Sequence, residues 1–388
     1  MRSTLTEGGL ARFDEVAGGH VGDDRVPGLV ALVARGEEVH VSALGSLSVG
    51  GPPVTRSTPF RIASTTKPIT GAATLAVAAE GLVDLDEPVD RLLPELAQRR
   101  VLRRPDGPLD DTVPARRAIT VRDLLTFRFG FGMVGEMFAA PEPWPAVQAA
   151  RALQLAALDP PSPGTEPGAG TWIARFASLP LLFQPGERWC YNTGAQVLGV
   201  LLARAAGVPL DELLRTRLFE PLGMSGTAFW AKANLLPTAY APGPGGLSVW
   251  DPPDGQWSRP PAFCDAAAGL VSTVDDLLAF ARMLLRGGSP VLATAAVAEM
   301  TRDQLTPTQR AAGATFLNGA GWGFCVGVAV DGPRAGSFGW DGGLGTSWVV
   351  DPVRDLIVIV LTQRLFEGPS GARVHRDLQD AAYAALAE

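Results

Sequence analysis

Hydrophobic residues run without a break from Leu29 through Val30, Ala31, Leu32 and Val33 to Ala34, stop at Arg35-Gly36-Glu37, and then alternate with polar ones as Val39, Val41 and Ala43 set against His40 and Ser42. That pattern predicts a buried strand, a tight turn and a half-buried strand, hence a hairpin early in the chain. Three further strand-like stretches lie toward the other end, at 322–330, 346–350 and 356–362. The last two are separated by the turn-forming run Asp351-Pro352-Val353-Arg354-Asp355, which implies an antiparallel pair. In the final stretch, 370–388, Val374, Leu378, Ala381, Ala382 and Ala385 fall on one helical stripe suited to packing on a sheet.

Between these ends the periodicity changes. Helices are predicted at 69–80, 121–125, 195–206 and 275–285, separated by Pro- and Gly-rich breaks, the largest at 141–145, 160–170 and 241–261. The expected fold class is α+β: an antiparallel sheet flanked by helices, built from both chain ends, with a mostly helical domain inserted. The expected boundaries are 1–75 with 262–388 for the sheet domain and 76–261 for the helical one, with the active site at their interface. A chain of 388 residues is long enough for two such lobes, and no internal repeat suggests a solenoid.

Composition narrows the function classes. Hydrophobic residues make up 46% and charged residues 19%, a globular balance. A net charge of −7 with no dense Lys/Arg run gives no field for phosphate backbones, so nucleic acid is excluded as an expected partner. The first 19 residues carry Glu7, Asp14 and Glu15 and no continuous apolar core, and no apolar run approaches a membrane span of roughly 18 residues. A cytoplasmic enzyme without membrane contact is expected. Cys190, Cys264 and Cys325 are odd in number and far apart, and His20, His40 and His375 are scattered, so neither a disulfide framework nor a metal site is expected.

The chemistry concentrates at Ala63-Ser64-Thr65-Thr66-Lys67-Pro68-Ile69, ahead of a helix that Gly81 can end. Three-residue spacing puts Ser64 and Lys67 on one helical face. A serine hydroxyl becomes nucleophilic when a base takes its proton, and lysine serves once burial or a neighbouring cation lowers its pKa. The chain holds only two lysines, Lys67 and Lys232, against sixteen serines, so the pairing is informative. Alone, it is also compatible with a surface lysine one turn into a helix. A second candidate is Tyr191, one of three tyrosines, placed where a loop turns into the helix near Ala195. A phenol beside an ammonium has its pKa lowered and can relay a proton; equally, an aromatic there can be a core anchor.

The segments Ser64-Thr65-Thr66-Lys67-Pro68, Glu80-Gly81-Leu82-Val83-Asp84-Leu85-Asp86-Glu87-Pro88-Val89, Pro185-Gly186-Glu187-Arg188-Trp189-Cys190-Tyr191, Pro221-Leu222-Gly223-Met224 and Gly269-Leu270-Val271-Ser272-Thr273 stand in this order. Together they resemble the family of class C β-lactamases, DD-peptidases and family VIII carboxylesterases, a likeness that runs from about Pro27 to Leu361. The resemblance implies that Ser64 is acylated, that Lys67 and Tyr191 exchange its proton, and that a third motif falls at Gly339-Trp340-Asp341-Gly342-Gly343-Leu344-Gly345-Thr346. It implies an oxyanion hole from the backbone N–H groups of Ser64 and Gly343, with Trp340, Asp341, Gly342 and Asn192 bordering the substrate. No metal or organic cofactor is implied, and the partner is a small-molecule acyl ester or amide.

Two departures from the β-lactamase pattern carry information. Trp340 stands where those enzymes place a lysine that can pair with a carboxylate, and an uncharged indole favours apolar contact. Asn192 follows Tyr191 directly, so Thr193 occupies the place of the family's asparagine. Both point away from penicillins and toward simple esters, as in family VIII carboxylesterases. Trp340 is also a good sheet filler, and Asp341 beside a glycine pair reads more readily as a turn residue than as a functional one. Three other readings stay open: an acyltransferase like the lovastatin acyltransferase branch of the fold, a β-lactamase or D-aminopeptidase with the same acyl-enzyme, and a non-catalytic binding module. A Ser-His-Asp hydrolase would need Gly-x-Ser-x-Gly between strand and helix; Ala335-Gly336-Ser337-Phe338-Gly339 comes nearest and lacks that setting.

Overall fold

The structure is a computed structural model that describes residues 4–368 and 371–387. Its centre is a seven-stranded antiparallel sheet. The strands are β1 (Gly28–Arg35), β2 (Glu38–Gly45), β3 (Gly321–Trp322), β4 (Gly327–Val328), β5 (Phe338–Gly342), β6 (Thr346–Asp351) and β7 (Leu356–Thr362), in the order β2-β1-β7-β6-β5-β4-β3. The first and last parts of the chain meet where β1 pairs with β7, Leu32 opposite Ile359.

Both faces of this sheet are covered, which is why β1 and β7 read as continuous apolar runs. Val30, Leu32, Ile357, Ile359 and Leu361 face one large core that also holds the helices α2 (Thr66–Ala79), α3 (Thr193–Ala206) and α4 (Val274–Leu285). Leu29, Ala31, Val33, Val358 and Val360 face a smaller core under α1 (Glu7–His20) and α5 (Arg373–Ala384), where Phe13 and Leu378 are buried.

Several sequence expectations are corrected. The stretch 322–330 is not one strand: Cys325 takes a left-handed φ of 57° and Gly323 N–H bonds Val326 C=O, folding β3 and β4 into a tight hairpin. The N-terminal helix α1 was unexpected because Gly8, Gly9, Gly18 and Gly19 dilute its pattern. Packing overrides that weak propensity: a Cβ on Gly9 would lie 2.4 Å from Ala385 Cα, so the glycine permits a close crossing with the C-terminal helix. That helix covers Arg373–Ala384, within the expected 370–388, of which Ser370 and Glu388 lie outside the described residues. Asp341 is not in the turn; it sits in β5 opposite Ser347, and the turn is Gly343–Gly345.

Helix α2 begins three residues earlier than expected and thereby takes in Lys67. It is buried from Thr66 to Val77, and its hydroxyls are satisfied within the core, Thr70 donating to Ala266 C=O at 2.7 Å and Thr74 to Thr70 C=O at 2.9 Å. Gly81, at φ 75°, ends the helix, with Leu82 N–H reaching back to Val77 C=O.

Candidate active site

Ser64 sits in a short 3-10 turn, Ala63–Thr65, that feeds α2. Ala63 takes a positive φ of 45°, an uncommon conformation for a residue with a Cβ, and the surroundings hold it there. Ile62 donates its N–H to Leu270 C=O and accepts from the Thr346 hydroxyl at 2.8 Å, while Thr65 and Thr346 hydroxyls meet at 3.1 Å. Upstream, Arg61 and Asp251 form a buried ion pair at 2.6 Å, and Arg61 also donates to the carbonyls of Pro237 and Pro252. The turn that carries the serine is thus clamped to β6 on one side and to the 237–252 segment on the other.

One helical turn on, Lys67 is fully buried, with its Nζ 2.8 Å from Ser64 Oγ and 2.9 Å from Ala267 C=O. Burial penalises the ammonium and brings its pKa down to about 7, against the partly opposing pull of the nearby Asp265 carboxylate. Near neutral pH a large fraction of Lys67 is therefore the free amine, able to accept the serine's proton.

Tyr191 comes to the same place from the loop before α3. Its backbone exchanges two hydrogen bonds with Met133. Asn192 then takes φ 84°, ψ −63°, a γ-turn closed by Thr193 N–H to Tyr191 C=O at 3.3 Å, and α3 starts at once. The Lys67 amine lies 4.7 Å from the centre of the Tyr191 ring, and the Ser64 side chain is near enough to the phenol to favour its ionised form. The expected lowering of the phenol pKa is overturned: burial pushes it up to about 12, outweighing the hydrogen bonds from Ser64 and Trp340. A lysine lowered to about 7 offers a phenolate at most a partial cation.

Trp340 donates its indole N–H to the Tyr191 oxygen at 2.9 Å, and its ring meets Trp322 edge-on at 4.6 Å. That bond ties the phenol oxygen to β5. Sequence reasoning placed Trp340 near substrate but missed this bond, which depends on the register of β5.

The β5–β6 turn brings Gly343 to the cavity that holds Ser64. Gly342 C=O accepts from Gly345 N–H at 2.9 Å, so the trans peptide aims Gly343 N–H away from the hairpin. Gly342 itself does not border the cavity, contrary to expectation. A Cβ there would lie 2.2 Å from both Ile62 C=O and Thr346 Oγ1, so the glycine lets β5 press against the serine turn. Asp341 and Trp340 project from opposite faces of β5. Asp341 reaches the cavity rim, with its carboxylate 4.0 Å from Nδ1 of the buried His375, and Asn192 also lines the wall.

The cavity measures about 690 Å³, and Met133, Phe138, Leu158, Phe316, Leu344 and Leu365 give it a largely apolar wall. Phe316 stacks on Tyr191 with ring centroids 4.6 Å apart. No sequence pattern marks Phe316, nor Ala267, which contributes only a carbonyl, nor Asp265 near Lys67. Among the described residues no group of His, Cys, Asp and Glu side chains is gathered as a metal site, and no helix is long and apolar enough to cross a membrane.

Residues 13–383 match the Beta-lactamase family. The chain belongs to this family. Its fold is the β-lactamase/transpeptidase-like one: it superposes on the solved structure of EstCE1, a hydrolase with promiscuous acyltransferase activity, with a TM-score of 0.83 at 26% identity, covering 97% of this chain and 99% of that one. In sequence it is 31% identical to Esterase EstB of Burkholderia gladioli over 96% of this chain and 95% of that protein. It is 36% identical to protein Rv1367c of Mycobacterium tuberculosis over 87% and 85% of the two chains. The family assignment makes the protein a serine hydrolase of the β-lactamase type.

Proposed function

We propose that the protein cleaves carboxylic esters of small molecules through an acyl-enzyme on Ser64. The observation that carries this reading is the buried Lys67 amine, lowered to about 7 and 2.8 Å from Ser64 Oγ. In this mechanism Ser64 attacks the ester carbonyl as Lys67 takes its proton. Backbone N–H groups of Ser64 and Gly343 hold the oxyanion, a contribution of about 3 kcal/mol per donor. Tyr191, its hydroxyl aimed at the reacting oxygen, protonates the departing alkoxide and is resupplied by Lys67. Water then enters by the reverse sequence and frees the acid.

The apolar wall and the indole at position 340 support an uncharged acyl ester over a β-lactam carboxylate, with Trp340, Asp341 and Asn192 bordering the substrate. Esterase EstB, similar along nearly the whole chain, is named for the same activity. Residues on both sides of the cavity support a division into a sheet domain, 1–75 with 262–388, and a helical domain, 76–261, with the site at their junction. Three unpaired cysteines agree with the reducing cytoplasm as the proposed location.

A second reading keeps the acyl-enzyme and passes the acyl group to an alcohol. The acyltransferase activity named for EstCE1 favours it. A panel of short- and medium-chain nitrophenyl esters, a chromogenic cephalosporin and a D-amino-acid amide, each with and without an added alcohol, separates the cases. Esters should turn over fastest and Ser64→Ala should abolish both turnover and fluorophosphonate labelling while melting like the parent. Preferred cleavage of the cephalosporin or the amide would overturn the ester assignment, and transfer exceeding hydrolysis would select the second reading.

A further inference from the structure

One buried titratable side chain takes no part in the proposed mechanism. His375, 1% exposed, sits in the first turn of α5, whereas His20 and His40 lie nearer the surface against Asp377 and Asp14. Its Nε2 is 3.2 Å from Gly345 C=O. A carbonyl only accepts, so Nε2 carries the proton and donates it. Burial holds the imidazole below its usual pKa, against the opposing pull of Asp341, and Arg376 and His20 add to the lowering. With its proton on Nε2, the neutral ring has a bare acceptor at Nδ1. That nitrogen is buried without a hydrogen-bond partner and lies 4.0 Å from the Asp341 carboxylate.

The carbonyl that His375 holds belongs to the β5–β6 turn. Gly345 N–H donates to Gly342 C=O at 2.9 Å, which sets the Gly342–Gly343 peptide and with it the direction of Gly343 N–H. Gly345 C=O is fixed in turn from two elements: Thr362 of β7 donates its backbone N–H at 2.9 Å and its hydroxyl at 2.8 Å, and His375 donates from α5. Phe366, whose N–H bonds Gly343 C=O at 2.9 Å, meets the imidazole edge-on with ring centroids 5.3 Å apart. Gly343 itself is open, since a Cβ there would meet nothing within 4 Å. With no side chain to pack, it is placed by the peptides on either side of it.

We propose that His375 is a positioning residue for the oxyanion hole: its Nε2–H bond to Gly345 C=O ties α5 to the β5–β6 turn and so fixes where Gly343 N–H points. The imidazole contributes little to stability. Its bond is the longest of the three on that carbonyl, and a buried lone pair facing a carboxylate costs free energy. Removing the ring leaves Gly345 C=O still paired, because both Thr362 donors remain. What is lost is the tie to the helix. An oxyanion donor works only at hydrogen-bond distance from the reacting oxygen, and full loss of one costs about 100- to 1,000-fold in turnover, so a turn held less firmly forfeits part of that.

This inference rests on Gly343 as an oxyanion donor in the ester cleavage proposed above. The probes are a nitrophenyl ester and its thionoester, in which sulfur replaces the carbonyl oxygen; sulfur is a weak acceptor and gains little from the hole. In His375→Leu, kcat for the oxygen ester should fall about tenfold with KM within about twofold, while the thionoester slows by less than about twofold and the variant melts close to the parent. His375→Gln, whose amide N–H reaches the place of Nε2, should restore kcat to within about threefold of the parent. Equal loss on both esters together with a lower melting point would make His375 a packing residue and overturn the inference. So would an unchanged kcat in His375→Leu, or a His375→Gln as slow as His375→Leu. Should neither variant fold, the nitrogen NMR spectrum of isotope-labelled histidines in the parent decides: a protonated Nε2 with a bare Nδ1 supports the tie, and a bare Nε2 refutes it. Failure of a fluorophosphonate to label the parent at any pH would instead sink the acyl-enzyme reading, and this inference with it.

Discussion

Trp340→Phe tests the proton path most directly. The substitution keeps an aromatic ring against Trp322, whose centroid is 4.6 Å away, and deletes the indole N–H that lies 2.9 Å from the Tyr191 oxygen. In a buried site, loss of one such bond is worth about 1–2 kcal/mol. If all of it appears in the transition state, kcat/KM falls about 5- to 30-fold. The proposed route is indirect: without the indole donor, the phenol proton is free to rotate away from Ser64. A double-mutant cycle with Tyr191→Phe separates this route from direct contact with substrate, because a phenylalanine at 191 has no proton to orient. Kinetics on one nitrophenyl ester for the parent, both single variants and the double should show the full Trp340→Phe effect in the parent background and none in the Tyr191→Phe background. Equal factors in both backgrounds would refute the indole-to-phenol coupling and leave Trp340 as a wall residue only.

The pH profile of kcat/KM should show an acid limb near pH 7, falling tenfold per unit below it as Lys67 takes up a proton, and no basic limb up to pH 10, since the phenol titrates near 12; a basic limb below pH 9 would contradict this assignment. Gly71→Ala should destabilise the fold by about 1–3 kcal/mol, read from the denaturant midpoint, because its Cβ would lie 2.4 Å from Phe324 C=O; an unchanged midpoint would show that α2 and the β3–β4 hairpin are not in that contact. Phe316→Ala should raise KM for bulky acyl esters several-fold with little change for acetates, since the ring both lines the cavity and caps Tyr191; equal effects on both substrates would remove it from specificity.

The parts of the site visible in the sequence are those set by local spacing or by motif order. Ser64 and Lys67 are one helical turn apart, so their meeting needs only that α2 form. Tyr191 was legible through its place before a helix and through resemblance, but its pKa was not, because the sign depends on burial by Phe316 and Phe127 from distant segments as well as by the neighbouring Trp189. The paired ends of the sheet were readable because β1 and β7 are buried on both faces and carry a polar residue only at their last positions, Arg35 and Thr362. Helix α1 escaped because its four glycines suppress the helical signal, and the β3–β4 hairpin because the left-handed turn at Cys325 leaves no mark in hydropathy. Glu166 is the extreme case: an acidic residue in a Pro/Gly loop reads as solvated, and only coordinates place it in a dry pocket.

The indole at position 340 changes more than the substrate's preferred charge. A lysine there would set a cation near Tyr191 and stabilise a phenolate, making the tyrosine the natural base. A neutral N–H offers a weaker pull, burial prevails, and the phenol stays protonated to about 12. The burden of base passes to Lys67, whose partners are a hydroxyl and a carbonyl and which burial brings to about 7. The hydrogen bonds around the serine are Lys67 Nζ–H to Ser64 Oγ at 2.8 Å and to Ala267 C=O at 2.9 Å, with Trp340 N–H to the Tyr191 oxygen at 2.9 Å beside them. In the proposed mechanism that arrangement holds the amine against the serine before substrate arrives.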